Sequence, residues 1–317
     1  MNITSVEKIA DAVLYEGYIL YPYRPSAVKN RQRFNFGVLY PREYCDLEFG
    51  SDAWEMRTEC LVQGDGSTTI ELKVRFLQLV GQPILAAAGF QAAVSGHTWQ
   101  EGQERDVSTP PFTLESIRER PHRHEFVFPG AEDPQTLQGE LKLEALQLAE
   151  SLFKLTLNIR NIASLEAANT VTRDQVLLRS LVSVHSILRA TGGEFVSSLD
   201  PPEHLKPAAA GCQNTGAWPV LAGDEGQRNL MLSAPIILYD YPQIAPESPG
   251  DLFDSAEIDE ILALRILTMT DAEKLEVRNG DDRARRILER TEMLPPEHFQ
   301  KLHGALRGLR PSPEGRQ

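Results

Sequence analysis

The chain has few cysteines, and they follow no pattern that is typical of a metal site or a disulfide framework. Only three of its 317 residues are cysteine, Cys45, Cys60 and Cys212, and no two of them form a CxxC pair. A small disulfide-stabilised domain or a zinc ribbon would need more cysteines at closer spacing. We therefore expect free thiols that behave as small hydrophobic side chains in a reducing compartment.

The motifs of several large enzyme classes are also absent. The sequence contains no GxxxxGK[ST], no GxGxxG, no HExxH and no GxSxG. These absences disfavour P-loop, dinucleotide-binding, zinc-protease and α/β-hydrolase sites. Carboxylates are plentiful, but their spacing selects no acid–base pair and no nucleophile. We expect no cofactor, although an enzyme whose site is scattered along the chain would leave no such motif.

Basic residues are outnumbered and long hydrophobic runs are missing. The chain has 32 Lys and Arg against 45 Asp and Glu, a formal net charge of −13. This balance argues against nucleic acid as a partner, because duplex affinity comes largely from cationic side chains. The longest mostly apolar stretch, residues 84–94, is too short to span a bilayer, and the N-terminal residues are charged where a signal peptide would be apolar. We expect no membrane insertion and a cytoplasmic location.

Alternating apolar residues predict strands in the first half of the chain. The runs lie at residues 34–40, 53–62, 69–79, 122–128, 141–145 and 153–159. Ile70, Leu72, Val74 and Phe76 would share one face, and the glycine-rich turn at residues 64–67 predicts a hairpin with the preceding strand. Residues 141–145 and 153–159 predict a long antiparallel pair. Many strands separated by turns favour a β-sandwich.

Helical spacing dominates the rest, except at residues 230–238, which are typical of a fully buried strand. A short helix is predicted at residues 6–14, and a longer one from Thr172 to Leu188, ended by Gly192. The last third carries helical patterns with capping signals at residues 254 and 270. The fold class is therefore α+β: an antiparallel β-sandwich-like N-terminal part with a largely helical C-terminal part. The expected domains are 1–165, β-rich with a short N-terminal helix; 166–310, mixed to helical; and 311–317, a disordered tail.

The tyrosines fall into two segments of opposite charge. Six lie between Tyr15 and Tyr44, in a segment without an acid from residue 17 to 41; the other two lie in the stretch 229–264, which has no Lys, Arg or His. Tyrosine suits half-buried surfaces because it joins an apolar ring to a hydroxyl. The candidate partner- or ligand-binding residues are Tyr15, Tyr18, Tyr21, Tyr23, Arg24, Arg31, Arg33, Tyr239, Asp240 and Tyr241.

Three interpretations of these segments stay open. The basic aromatic segment could pair with the acidic one inside the chain. One or both could instead form a protein-binding face, since Tyr and Arg are enriched at interface hot spots. The third interpretation is a small-molecule or anion site built from Arg24, Arg31 and Arg33.

Two further groups have metal-ligand chemistry but a simpler explanation. Asp251, Asp254 and Glu257 offer oxygen ligands near a predicted helix start, where acids also complement the helix dipole. His122 and His124 would share one face of a strand, with His97 or Cys60 as a third ligand, but such a pair is more often a solvated strand face. We therefore expect no metal.

Two long strings resemble a known family. One is LYEGYILYPYRPS at residues 14–26, continuing through KNRQR to FGVLYP at 36–41; the other is SAPIILYDYP at 233–242, continuing through APESPGDLFD to EIDE at 257–260. They are similar to an uncharacterised bacterial protein family associated with nickel–iron hydrogenase gene clusters. This resemblance implies a role in making, assembling or tethering the hydrogenase and supplies no catalytic residue. The chain lacks the nucleotide and CxxC motifs of the well-known hydrogenase maturation factors, which favours a non-catalytic role.

The sequence thus predicts a non-enzymatic accessory or assembly protein that binds a protein partner. The resemblance implies that this partner is a hydrogenase subunit or a maturation factor. The alternative is a small-ligand or metal-dependent enzyme with a site between the two halves, near the tyrosine segments.

Overall fold

A computed structural model describes most of the chain. The described residues are 3–16, 24, 36–47, 52–82, 99–130, 136–166, 168–244, 259–279 and 282–295. The chain divides into two compact units. The first comprises Met1–Tyr18 and Gln32–Gln243, and the second comprises Ile19–Arg31 and Ile244–Gln317.

The first unit contains all the described strands and five described α-helices. The strands are β1 Glu55–Gln63, β2 Thr69–Gln82, β3 Trp99–Ser108, β4 Phe112–Thr113, β5 His122–Phe128, β6 Leu137–Ala149, β7 Leu152–Asn161, β8 Val182–Thr191, β9 Glu194–Phe195, β10 Trp218–Leu221 and β11 Leu230–Ala234. The helices are α1 Ile3–Leu14, α2 Arg42–Cys45, α3 Leu114–Glu119, α4 Arg173–Leu177 and α5 Lys206–Ala210.

The strands form two antiparallel sheets that face each other. One has the order β5-β6-β7-β1-β9, and the other has the order β10-β11-β8-β2-β3, with β4 pairing with β2. Ile70, Leu72, Val74 and Phe76 all face the apolar core between the sheets, which confirms the predicted alternation of β2. The predicted pair of β6 and β7 is also confirmed. The α+β class and the sandwich-like N-terminal part are therefore confirmed.

Each sheet also has an outer face covered by a helix. Val6, Ala10 and Val13 of α1 form a second apolar cluster with side chains of β8, β10 and β11. On the five-stranded sheet, residues next to α5 form a third cluster with Leu61 and Leu152. α1 is amphipathic, as its sequence predicts, because only the stripe that meets the sheet is apolar.

The second unit contains three described helices, α6 Asp259–Leu267, α7 Asp271–Arg278 and α8 Asp282–Glu292. Thr270 and Glu273 form the predicted capping box at the start of α7. Glu292 of α8 receives Lys274 at 3.1 Å and Arg278 at 2.7 Å, which ties α8 to α7. The helical C-terminal part is confirmed for these residues.

The predicted helix from Thr172 to Leu188 is wrong beyond its first turns. Thr172 and Gln175 form a capping box, but α4 ends at Leu177, and β8 begins at Val182. Nearly every residue of β8 is buried, on both faces of the sheet. A strand buried on both faces loses its alternation, so its apolar residues matched helical spacing by coincidence.

Two strand predictions also need correction. β1 and β2 do not form a hairpin, because they belong to opposite sheets, and residues 64–67 form the connection between the sheets. Residues 36–40 form no described strand; Leu39 makes isolated bridges to Ala53 and Leu181. Turn residues specify a reversal of the chain but not whether the next strand stays in the same sheet.

The division into units differs from the expected boundary at residue 165. Strands β8 to β11 lie beyond that residue and complete the sheets of the first unit. The expected tail at 311–317 and the capping signal at residue 254 lie outside the described residues.

Candidate functional site

Residues 235–241, here called the clamped segment, follow β11 and present two large apolar side chains to solvent. Ile236 and Leu238 pack against the apolar cluster beneath α1. The residues between and after them, Ile237 and Tyr239, are 76% and 85% exposed. We call Ile237 and Tyr239 the exposed pair. Ile236 and Leu238 therefore face the cluster, whereas the exposed pair, which alternates with them, faces solvent.

The far end of the segment is held by Asp240 and Tyr241. One carboxylate oxygen of Asp240 accepts the backbone N–H of Leu221 at 2.8 Å, and the other accepts the hydroxyl of Ser197. The N–H of Tyr241 donates to the carbonyl of Leu221 at 2.7 Å. Asp240 therefore fixes backbone; it is not a free acid.

Tyr241 adopts a backbone conformation that few side chains tolerate. Its φ is +56°, in the left-handed region, and its ring packs against the core between the sheets. A non-glycine residue in this region costs on the order of 1 kcal/mol and persists where its surroundings impose it. The contacts of Leu221, Ser197 and the core impose it here. The exposed pair is thus carried by a segment anchored at both ends.

The described tyrosines of the first tyrosine segment are not exposed, neither Tyr15 of the predicted site nor Tyr40 and Tyr44. Tyr15 is buried, and its hydroxyl donates to Glu104 at 2.7 Å. Tyr40 and Tyr44 are buried with their ring centroids 5.4 Å apart, and Arg173 hydrogen-bonds the hydroxyl of Tyr40. Burial raises the pKa of Tyr40 well above its usual range. These rings have structural contacts, so Tyr239 is the only tyrosine among those described that offers its ring to solvent.

Arg24 lies in the second unit and is ion-paired there. Its guanidinium is 3.3 Å from Glu273 and 3.7 Å from Glu276, both on α7. These acids lie beyond the stretch 229–264 that was expected to provide opposite charge. The remaining residues of the predicted basic segment lie outside the described residues; they are Tyr18, Tyr21, Tyr23, Arg31 and Arg33.

The predicted metal candidates do not come together in the described part of the chain. His122 and His124 are stacked on β5 with their ring centroids 6.4 Å apart, and His122 also meets the ring of Phe112 at 4.2 Å. Cys60 is on β1, which β6 and β7 separate from β5, so it is not their third ligand. Among the described residues no group of three or more His, Cys, Asp or Glu is arranged to hold a metal ion. His97, Asp251, Asp254 and Glu257 lie outside those residues.

The three thiols are free, and each is protonated at neutral pH. Cys45, Cys60 and Cys212 form no disulfide. Burial raises the pKa of all three, that of Cys45 to about 11. A thiol with a raised pKa is a poor nucleophile and a poor metal ligand at neutral pH.

Sequence reasoning missed a buried carboxylate on the outer face of the five-stranded sheet. The side chain of Glu59 on β1 is 1% exposed, at the floor of a groove of about 300 Å³. It accepts the N–H of Gln213 at 2.7 Å, the hydroxyl of Thr156 at 3.3 Å and the ammonium of Lys154 at 3.4 Å, and it also accepts Arg57.

These partners decide the chemistry of Glu59. Burial opposes ionisation, but the N–H of Gln213 and the charge of Arg57 outweigh it, so the pKa of Glu59 is below its usual range. A carboxylate that is ionised at neutral pH and whose oxygens are already hydrogen-bonded is a weak general base. We therefore interpret the groove as structural. Nothing local in the sequence signals it, because the groove is lined by residues of β1, β6, β7 and α3, and the partner Gln213 comes from the loop after α5.

A second buried polar group lies under α1. Arg75 of β2 reaches Asp11 of α1 at 2.6 Å and Glu104 of β3 at 3.6 Å, and Ser183 donates to the carbonyl of Val13 at 3.0 Å. His185 is fully buried beside them, and burial lowers its pKa to about 4. This group fixes the C-terminal end of α1 on the six-stranded sheet.

Comparison with known proteins adds no relationship. The chain matches no known protein-family model and no curated protein. The relation to hydrogenase gene clusters therefore stays a prediction. None of the described helices is both long enough and apolar enough to cross a bilayer.

Proposed function

We propose that this protein is a non-enzymatic accessory or assembly protein that binds another protein through the exposed pair. The observation that carries the proposal is the combination of exposure and anchoring: Ile237 and Tyr239 are the two most exposed large apolar residues described in the first unit. Aromatic side chains are enriched at interface hot spots, where they fill pockets of the partner.

Anchoring makes this exposure useful for binding. A flexible segment loses conformational entropy when it binds, at roughly 1–2 kcal/mol for each backbone residue that becomes ordered. The clamped segment is held by the apolar cluster at Ile236 and Leu238, and by Leu221 and Ser197 at its far end. That ordering cost has already been met in the folded chain.

The resemblance implies that the partner is a hydrogenase subunit or a maturation factor. The proposed location is the cytoplasm. Free thiols in the described residues accord with a reducing compartment. The second string that carries the resemblance, residues 233–242, contains the whole clamped segment. The exposed surface and the resemblance therefore both favour residues 235–241 as the binding segment.

The test is capture followed by reconstitution. Tagged wild-type chain is purified from its native cells, the co-purifying proteins are identified by mass spectrometry, and each is then mixed with the pure chain to measure Kd. A hot-spot side chain contributes about 2 kcal/mol or more, so Tyr239→Ala should weaken the complex roughly 30-fold.

The control removes a comparable side chain elsewhere. Leu146, on β6, is 55% exposed and far in sequence from the clamped segment. Leu146→Ala should leave Kd within about twofold. If Tyr239→Ala and Ile237→Ala both bind the reconstituted partner as tightly as wild type, the proposal is wrong.

A further inference from the structure

We infer that the open edge of β5 pairs with the same edge of a second copy of this chain, antiparallel and about a two-fold axis at His124. The five-stranded sheets of the two copies then form one continuous sheet. The inference does not depend on the exposed pair. It rests on the direction of the backbone groups of β5 and on a charge pattern that complements itself.

The backbone of β5 is paired on one side only. β5 is the last strand of its sheet and pairs with β6. From His122 to Val127, its backbone groups make no hydrogen bond outside the β6 ladder to any described residue. At the next two residues, the carbonyls of Phe128 and Pro129 accept Gln78 at 3.4 and 3.0 Å, which ends the open edge. The edge from residue 122 to 127 has a usual length for strand addition.

The hydrogen-bond register shows which residues face this edge. Ile162 donates to the carbonyl of Gln138, so the even-numbered residues of β6 bond to β7. The odd-numbered residues of β6 therefore bond to β5, where they lie opposite its even-numbered residues. Because backbone groups alternate in direction along a strand, those of Arg123, Glu125 and Val127 point to the open edge.

The charges on this edge select one symmetric register. An antiparallel pair centred on His124 places Arg123 of each copy directly opposite Glu125 of the other, and both have outward backbone groups. Directly opposite side chains lie on one face of the sheet, so two ion pairs form, one on each side of the axis. Centring the pair on Arg123 or on Glu125 would place two like charges at the axis instead. The selection depends on the order of the charges and needs no net charge.

Glu125 is the residue that a second copy completes. Within its own sheet Glu125 is opposite Glu140, and like charges directly opposite each other are unfavourable. Glu140 already receives Arg123 at 3.0 Å and Arg160 at 3.5 Å. Glu125 is exposed and has no ion pair with a described residue. Arg123 of a second copy supplies the counter-charge that its own sheet does not provide.

The same register also fits the end of the edge. The N–H of Val127 meets the carbonyl of Pro121 in the other copy, and Pro121 has no N–H to leave unpaired. The side chain of Val127, 60% exposed in the single chain, then packs against the Pro121 ring. A strand pair of this length buries little surface, so we expect a weak homodimer with a Kd of roughly 10–100 μM.

The test is sedimentation equilibrium of the full chain at about 5–500 μM, which gives the Kd of self-association. Arg123→Glu and Glu125→Arg each create like charges across the axis, so each should weaken self-association at least tenfold. An equimolar mixture of the two variants restores opposite charges, because one chain carries two acids and the other carries two arginines. The mixture should form a heterodimer about as tight as the wild-type dimer.

A control variant and a second measurement locate the contact. Glu71→Arg breaks an ion pair with Arg189 on the other sheet, and it should leave Kd within about twofold. Amide hydrogen exchange, resolved by NMR, should slow at Arg123, Glu125 and Val127 as the chain is concentrated. The even-numbered amides of β5 already bond to β6, so their exchange should change less.

Three results would overturn the inference. A chain that stays monomeric over the whole concentration range has no such interface. Self-association that neither charge variant weakens lies on another surface. A dimer that the single variants lose and their mixture does not restore would show that the two charges act within the chain, through Glu140, and not across the axis.

Discussion

Replacing the buried carboxylate of Glu59 by an amide should destabilise the first unit in a way that depends on pH. Glu59→Gln keeps the shape of the side chain but removes its charge. Arg57 and Lys154 then lose the negative charge with which they pair. That charge lies on a buried side chain, since Glu59 is 1% exposed. The amide can still accept the N–H of Gln213, so the packing of the loop after α5 should survive.

The size of the effect follows from the partners. A hydrogen bond to a charged group contributes about 1.5–3 kcal/mol, and breaking a fully buried ion pair costs about 3–5 kcal/mol. Arg57 and Lys154 are 39% and 22% exposed, so water recovers part of the loss. We expect Glu59→Gln to lower the free energy of unfolding by about 2–3 kcal/mol at pH 7.

The pH dependence has a definite sign. The pKa of Glu59 is lower in the folded chain than in the unfolded chain, because the N–H of Gln213 and the charge of Arg57 outweigh the opposing effect of burial. The contribution of the carboxylate is therefore complete above the unfolded pKa and is lost as the pH falls through the folded pKa. The difference between wild type and Glu59→Gln should shrink as the pH is lowered from 5 to 3.

The assay is urea unfolding followed by tryptophan fluorescence at pH 7, 5, 4 and 3. All three tryptophans, Trp54, Trp99 and Trp218, lie in the first unit, so the signal reports that unit. Glu144→Gln is the matched control, because Glu144 is 2.6 Å from Lys142 on the same sheet but 32% exposed, and it should cost less than about 1 kcal/mol. Equal costs for the two variants, or a difference that stays constant with pH, would refute the reasoning.

Three further predictions test other parts of the fold. Burial lowers the pKa of His185 to about 4, so the unfolded chain binds a proton at this residue before the folded chain does as the pH falls. Between pH 7 and pH 4 the free energy of unfolding of wild type should therefore fall by about 3 kcal/mol more than that of His185→Phe, as measured by urea unfolding. Gly139→Ala places a Cβ 2.1 Å from the ring of Phe126 and should lower the free energy of unfolding by about 1–3 kcal/mol. Adding Phe126→Leu to the same chain should recover part of this loss. If the losses of the two single variants simply add, the β5–β6 register that pairs Phe126 with Gly139 is contradicted. Thr270→Ala removes the N-cap of α7 and should cost about 1 kcal/mol, measured by circular dichroism at 222 nm. Thr268→Ala should cost less, because the hydroxyl of Thr268 donates to the carbonyl of Arg265 and caps no helix N-terminus.

Local patterns in the sequence predicted local structure well. The alternation of β2, the pair of β6 and β7, and the capping boxes at Thr172 and Thr270 follow from contacts within a few residues or across one turn. These features need only backbone geometry and side-chain periodicity, so a single sequence specifies them.

Features set by distant contacts were not predictable in the same way. β8 was read as a helix because burial on both faces, which comes from α1 and the opposite sheet, removed its alternation. The turn at residues 64–67 indicated a reversal, but the sheet that each strand joins depends on the whole core. Periodicity within a strand carries no information about its neighbours.

The candidate site was predicted in part. Tyr239, Asp240 and Tyr241 were named from composition, but the sequence could not show that the first is exposed, the second hydrogen-bonds backbone and the third packs in the core. Ile237 was missed because the run at residues 236–238 looks like a buried strand. Its exposure depends on the anchoring of Ile236 and Leu238 beneath α1.

The central claim, that the exposed pair contacts a partner protein, is tested most directly by photo-crosslinking in the native cell. A benzophenone amino acid is placed at position 239 in one chain and at position 146, the exposed site on β6, in another. The account predicts one discrete protein cross-linked from position 239, absent from position 146, and lost when Ile237→Ser is added to the first chain. The same adducts from both positions, or no adduct from position 239 in cells where the chain is folded, would contradict it.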